Sequence, residues 1–245
     1  MPLPLKDVAV VLAAHGDRGG DAPNRALRSH RDGLAAMGLF RTVEAGVLNG
    51  EPSLESALKL AQSKGAIRIA VYPMFMSAGY FTNTVLPERI SRMGLDRQCR
   101  ILEPLGLDLR IPELLLAEAL AAAHAHGLDP GAARLLIVGH GSKLGPASAN
   151  ATRHVALAVA RDSRFKIVDT AFLEEAPFLD DALSGDPMPT VVSGFFSGDG
   201  MHAQEDVPKA IAASGHAAVY AGSIGRSAEL ATVVRDAVVA AMVRT

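Results

Sequence analysis

What most narrows the folds open to this chain is an internal repeat. The apolar run Val8 to Ala14, followed by His15 and Gly16, returns 125 residues later as Leu135 to Gly139, followed by His140, Gly141 and Ser142, in a chain of 245 residues. Further on, Pro73 to Pro87 aligns without a gap against Gly194 to Pro208, so that Gly79 meets Gly200 and Pro87 meets Pro208. Phe81 stands where the second copy has His202. A chain that repeats at half its length folds as two similar bodies, each near the common domain size. The turn formers Gly127 to Gly131 place the joint, which predicts domains at residues 1–128 and 129–245.

Within each half, apolar runs rich in Val, Ile and Ala alternate with stretches of helical period. That alternation predicts βαβ units, hence an α/β fold with a mostly parallel four-stranded sheet flanked by helices in each half. The expected strands are Val8–Ala14, Thr42–Leu48, Ile67–Pro73 and Ile101–Pro104, then Leu135–Gly139, Lys166–Phe172, Thr190–Phe195 and Ala217–Ala221. Helices are expected between them at Asn24–Met37, Ser53–Lys64, Thr84–Met93 and Pro112–His124, and at Ser148–Arg161, Ala176–Leu183, Glu205–Ala213 and Ser227–Val243.

Composition enters as a set of exclusions. A net charge of −2 gives no basic field for nucleic acid, and no apolar run approaches the ~20 residues that span a bilayer. No basic N-terminal region leads into an apolar stretch, so a cytoplasmic protein is expected. The single cysteine, Cys99, rules out an intrachain disulfide and any site built from several thiolates, and reads as a small apolar residue.

Open parallel sheets bind ligands at the carboxyl ends of their strands, and the chemically able residues fall there. His15 and His140 each end the first strand of a half and precede glycine, which leaves space beside the imidazole. His202 and Phe81 follow the third strands. After the second strands come Asn49 and Glu51 before Pro52, and Glu174 and Glu175 before Pro177; anchoring on the prolines pairs Asn49 with Glu174. The second half thus gathers two histidines and at least one carboxylate at one sheet edge. Those groups suit two jobs, holding a borderline divalent metal and taking up protons at neutral pH. Asp206 has two readings, a functional one in which it orients His202 or carries charge near a metal, and a structural one in which it answers the dipole of the helix it begins. His30, His154 and His216 read as solvated, and His124 and His126 face different directions.

Together, His140-Gly141-Ser142, Phe172-Leu173-Glu174 with Pro177, and Phe196 to Gly200 with His202, Asp206 and Pro208 resemble the sirohydrochlorin chelatases, the class II chelatases of CbiX/SirB type. The resemblance covers essentially the whole chain, and the length is that of the family's long form with two tandem chelatase-like domains. It implies a lyase that inserts Co²⁺ or Fe²⁺, with nickel a third choice, into sirohydrochlorin without ATP, on the route to cobalamin or sirohaem. By resemblance His140 and His202 hold the metal and accept protons, and Glu174 balances charge or relays a proton. Ser142, Lys143, Gly200 and His15 meet the macrocycle. The metal is a substrate, and no permanently bound cofactor is expected; nor is a nucleic-acid or membrane partner, and the chain is a monomer or homodimer.

The first half departs from the pattern at Phe81 for histidine, Val85 for aspartate, Asn49 for glutamate and Asp17 for serine. Phenylalanine neither ligates metal nor moves protons, so the first half is expected to have lost insertion and to form the other wall of a cleft. Pro73 is replaced by Gly194 in the second half, which bears on the shape of that loop. A non-catalytic tetrapyrrole or metal carrier is the alternative reading of the same residues. A histidine phosphatase would need arginine before the histidine, where Ala14 and Gly139 stand.

Overall fold

The computed structural model describes residues 4–16, 24–143, 145–184 and 187–243. Asp17, one of the departures just noted, lies outside the described residues. Among the described residues eight strands fall into two sheets of four, and every pairing in both is parallel. The first sheet has the order β2-β1-β3-β4, from β1 (Val8–Ala14), β2 (Thr42–Val47), β3 (Arg68–Pro73) and β4 (Cys99–Ile101). The second repeats it as β6-β5-β7-β8, from β5 (Arg134–Gly139), β6 (Ile167–Phe172), β7 (Thr190–Gly194) and β8 (Ala218–Ser223). The inner strands β1 and β5 are wholly buried along most of their length, which is why they read as unbroken apolar runs rather than alternations.

Helices α1 (Arg25–Ala36), α2 (Leu54–Ser63), α3 (Leu86–Arg92) and α4 (Ile111–Ala125) come from the first repeat. The second gives α5 (Ala147–Asp162), α6 (Leu179–Ser184), α7 (Val207–Ser214) and α8 (Leu230–Val243). Helix α2 shows the logic: the Ser53 hydroxyl accepts from the Ser56 amide at 3.2 Å to start it, and Leu54, Ala57, Leu58 and Ala61 form its buried stripe. Each fully buried leucine there contributes about 1.5–3 kcal/mol.

Compact units and sequence repeats do not share a boundary. One unit holds the described residues up to Asp108 together with those from Ala228 onward; the other is Leu109–Ser227. Helix α8 packs on α1 and β3, and α4 packs on α5, β7 and β8. The compact units are therefore divided after Asp108 and Ser227 and not at the repeat joint near residue 128, and the final helix of each repeat belongs with the sheet of the other. Residue pattern gave α4 its buried stripe of Ile111, Leu115, Ala119 and Ala123, but a stripe does not name the surface that covers it.

Smaller corrections have local causes. The fourth strand of the first unit ends at Ile101, not Pro104, and the chain turns into a short 3₁₀ segment at Leu105–Leu107 after a proline that has no amide to give a neighbour. His30 is buried, and His216 is tied to Thr190 Oγ1 and the Met188 carbonyl at 3.1 and 2.9 Å, so neither is a solvated residue; His154 is exposed. Among the described residues no helix is long and apolar enough to cross a membrane.

Cys99 is half-buried beside the first unit's core, where burial, with the nearby Asp96 carboxylate, pushes its thiol up to about 12. The thiolate is the reactive form. At pH 8 the folded protein is therefore expected to take up iodoacetamide far more slowly than the same protein in urea, read by mass spectrometry; equal rates would contradict the burial.

Candidate metal and substrate site

In the order β6-β5-β7-β8 the chain runs from β5 outward to β6, then crosses back to the far side of β5 to form β7. The crevice between β5 and β7 is a topological switch point, where side chains from both strand ends can meet. His140 leaves the end of β5 and His202 follows β7 through the loop Phe195–Met201. Their rings lie 4.7 Å apart, centre to centre, at 81° to one another. Residues 62 positions apart in sequence are thus brought side by side by the crossover, as expected.

The glycine after each first-strand histidine has a firmer reason than leaving space. Gly16 and Gly141 adopt φ of +104° and +74°, and a Cβ would sit 2.0 Å from the Asn49 carbonyl oxygen at Gly16 and 2.9 Å from Glu175 Cγ at Gly141. The next loop passes directly over that backbone, and only glycine allows both the close approach and the left-handed turn. The loop is pinned there by equivalent hydrogen bonds, Asn49 N–H to the His15 carbonyl and Glu174 N–H to the His140 carbonyl, both 2.9 Å. That equivalence supports pairing Asn49 with Glu174.

His202 opens a π-helical turn, His202–Asp206, that leads straight into α7; Phe81–Val85 does the same ahead of α3. Residue pattern predicts helices only from Glu205 and Thr84, and nothing in it distinguishes a π-turn from an α-turn. Such turns are frequent at functional sites. Asp206 accepts a hydrogen bond from His202 Nδ1 at 2.6 Å, and His140 Nδ1 lies 3.0 Å from the Gly141 carbonyl. A carbonyl and a carboxylate only accept, so each Nδ1 is the donor, and in the neutral ring that leaves the lone pair on Nε2. The result is two adjacent imidazoles held through Nδ1, with no hydrogen bond to either Nε2 among the described residues.

The loop carrying His202 is fastened from below. Ser223 Oγ donates to the carbonyls of Phe196 and Gly198, at 3.0 and 2.9 Å, and Gly225 N–H to that of Phe196 at 2.9 Å. Gly194 stands where the first repeat has Pro73 because the Phe196 ring and the Tyr220 hydroxyl occupy the space a side chain would take, both under 3 Å from a Cβ. Tyr220 has no counterpart hydroxyl in the first repeat, where Ile101 takes its place. Burial, with Asp199 adding to it, pushes the Tyr220 phenol up to about 12, so it stays neutral. Asp199 also accepts from Gln204 at 2.6 Å and lies 3.7 Å from the Arg226 guanidinium.

Among the described residues no three His, Cys, Asp or Glu side chains are grouped to hold a metal. Glu174 is tied to the site through its backbone, its N–H donating to the His140 carbonyl at 2.9 Å. Its carboxylate lies 3.8 Å from Lys143 Nζ, both side chains well exposed, and such a pair is worth at most ~1 kcal/mol. The neighbouring Glu175 was given no role from sequence; its Oε1 is buried with no hydrogen-bond partner among the described residues. Gly200 accepts at its carbonyl from Ala203 N–H and Gln204 N–H, and so starts the turn that bears His202. Ser142 and Lys143 follow His140 at the same strand end.

In the first unit the same two places hold His15 and Phe81, again 4.7 Å between ring centres, at 67°. Phe75 stacks on Phe81 at 6.2 Å just as Phe196 lies against His202 at 6.3 Å. Geometry was kept while the second lone pair was lost. His15 therefore sits against an aromatic edge in its own unit, with the Phe81 ring where the second unit has an imidazole.

Comparison with known proteins agrees with this arrangement. The family model CbiX matches twice, over residues 9–122 and 134–241. A probable sirohydrochlorin cobaltochelatase of Halobacterium salinarum is 27% identical across 93% of this chain and 89% of its own. A sirohydrochlorin cobaltochelatase of Methanopyrus kandleri, 28% identical, is matched over 92% of its length by 44% of this chain, as a single-repeat relative would be. Among solved structures, CbiX described as the terminal enzyme of siroheme biosynthesis in denitrifying bacteria superposes with a TM-score of 0.81 at 28% identity, covering 95% of this chain and 99% of that one. Two matches to one family model, spanning nearly all of both sheets, and the repeated strand-end geometry lead to one conclusion: the chain belongs to the CbiX family, as a tandem pair of its domains.

Proposed function

We propose that the second unit inserts a divalent metal, Co²⁺ or Fe²⁺, into sirohydrochlorin, with His140 and His202 as the catalytic pair. The observation that carries this reading is the adjacency of two imidazoles, each held through Nδ1, with no hydrogen bond to either Nε2 among the described residues. Insertion releases two pyrrole N–H protons for each metal ion that enters, and two imidazoles offer two lone pairs. Each Nε2 first holds the ion and, once the ion moves to the ring nitrogens, accepts one of the displaced protons. Charge is conserved: one dication goes in and two protons come out.

Two nitrogen ligands hold a dication more weakly than the four-ligand cages of structural sites. Weak holding favours passing the metal on over storing it, and so favours an enzyme over the carrier alternative. Glu174, exposed and only loosely paired with Lys143, is free to balance charge at the rim. Ser142 and Lys143 are the donors for the macrocycle's carboxylates. Names of relatives point to cobalt in the archaeal proteins and to sirohaem in the denitrifying bacteria. Imidazole binds Co²⁺, Fe²⁺ and Ni²⁺ alike, so the choice follows the ion supplied.

The test is anaerobic absorbance of sirohydrochlorin mixed with each metal. The protein is expected to raise the initial rate by ~10² or more over buffer, the scale of a positioned base. Binding of the macrocycle without acceleration would replace this reading by the carrier.

A further inference from the structure

We infer that Asp206 is a positioning residue for His202: its carboxylate holds the proton on Nδ1 and so presents the Nε2 lone pair to the metal. Three observations meet on it. The contact is short, 2.6 Å from His202 Nδ1 to Asp206 Oδ2. The rival explanation, the helix dipole, loses its ground, because the π-turn from His202 runs on into α7 and places Asp206 a turn inside the helix, in ordinary right-handed backbone and with no side-chain cap hydrogen bond. Finally, the first repeat keeps the turn but loses both partners together, with Phe81 and Val85 in their places and Val85 packed against the apolar core. A carboxylate needed only for the helix would have no reason to vanish with the imidazole.

A neutral imidazole has two tautomers, and only the one protonated at Nδ1 leaves Nε2 to the metal. A carboxylate on the far nitrogen selects that tautomer, fixes the ring's rotation and makes the ligand more basic; losing such a partner typically costs 10–100-fold in metal affinity. The kinetic consequence rests on the insertion reading, but the tautomer and the metal affinity do not.

The experiment uses full-length, metal-free protein labelled with ¹⁵N, at about pH 8.5, roughly 2 units above the ordinary imidazole value. In the wild type, ring ¹⁵N shifts of His202 are expected to show a protonated Nδ1 and a bare Nε2. Asp206→Ala should return His202 to a mixture of tautomers and weaken Co²⁺ binding, measured by calorimetry, by ~10-fold or more. Asp206→Asn, whose amide oxygen still accepts, should keep the tautomer and lose only part of the affinity. A wild-type His202 bare at Nδ1, or an Asp206→Ala protein with unchanged tautomer and affinity, overturns the assignment.

A gain-of-function pair guards against misfolding of those variants. In a protein carrying His140→Ala and His202→Ala, Phe81→His rebuilds an imidazole pair with His15, and adding Val85→Asp should tighten Co²⁺ binding by a further ~10-fold. Equal affinities with and without Val85→Asp would count against the carboxylate. If the tautomer and affinity results hold but the wild type inserts no metal into sirohydrochlorin, the proposed activity fails and the role of Asp206 stands.

Discussion

His202→Ala and His140→Ala are each expected to bring metal insertion down by ~10²-fold or more, towards the rate in buffer, because each removes one of the two basic nitrogens at the β5–β7 crevice. The double variant should be little worse than either single one, since two groups that act as a unit do not add. His15→Ala should cost no more than a few-fold, because its neighbour in the first unit is the Phe81 ring and no second lone pair is there to share a metal. His154→Ala, exposed on α5, should change nothing and serves as the control for generic loss of histidine. Initial rates with Co²⁺ and Fe²⁺ under anaerobic conditions check all five variants. Abolition by His15→Ala alone would move the site to the first unit.

A large effect on stability is expected at Gly225. A Cβ there would lie 2.3 Å from Ser197 C, 2.4 Å from Gly198 N and 2.6 Å from the Phe196 carbonyl oxygen, all of them backbone atoms that cannot rotate away. Gly225→Ala must therefore push the His202 loop off the end of β8 and strain the hydrogen bonds from Ser223 and Gly225 that fasten it. A cost of about 3 kcal/mol, the upper part of the range for overpacking, corresponds to a fall in Tm of roughly 6–12 °C for a chain of this size. Gly198→Ala, in the same loop with open space around it, should stay within about 0.5 kcal/mol of wild type. Calorimetric melting of both variants separates the two cases. The displaced loop should also weaken Co²⁺ binding in Gly225→Ala, whereas Gly106→Ala, which meets the Met76 backbone at the equivalent place in the first unit, should lower Tm and leave that affinity unchanged.

Much of this arrangement was legible in the residues. Buried parallel strands announce themselves as apolar runs, the duplicated His-Gly marks the ends of two of them, and comparing the copies shows where a histidine became Phe81. The parallel sheets, the pairing of His140 with His202 and the family all followed from those marks. The direction of the Glu174 carboxylate was not legible: a short loop fixes where its backbone runs, but its long, partly exposed side chain lies 3.8 Å from Lys143 Nζ. Gly225 was invisible for the opposite reason, since its importance comes from another segment's backbone lying against it. Asp206 stood between two readings until the geometry showed a hydrogen bond to His202 and none to the helix.

The sequence by itself determined what is local or periodic: two copies, four parallel strands in each, histidines at equivalent strand ends, and the loss of one imidazole from the first copy. Tertiary structure alone decided which sheet α4 and α8 cover, because a buried stripe specifies that a helix face must be covered and not by what. It also decided which polar groups touch, since hydrogen bonds are made at about 3 Å and the chain positions involved lie from four to scores of residues apart.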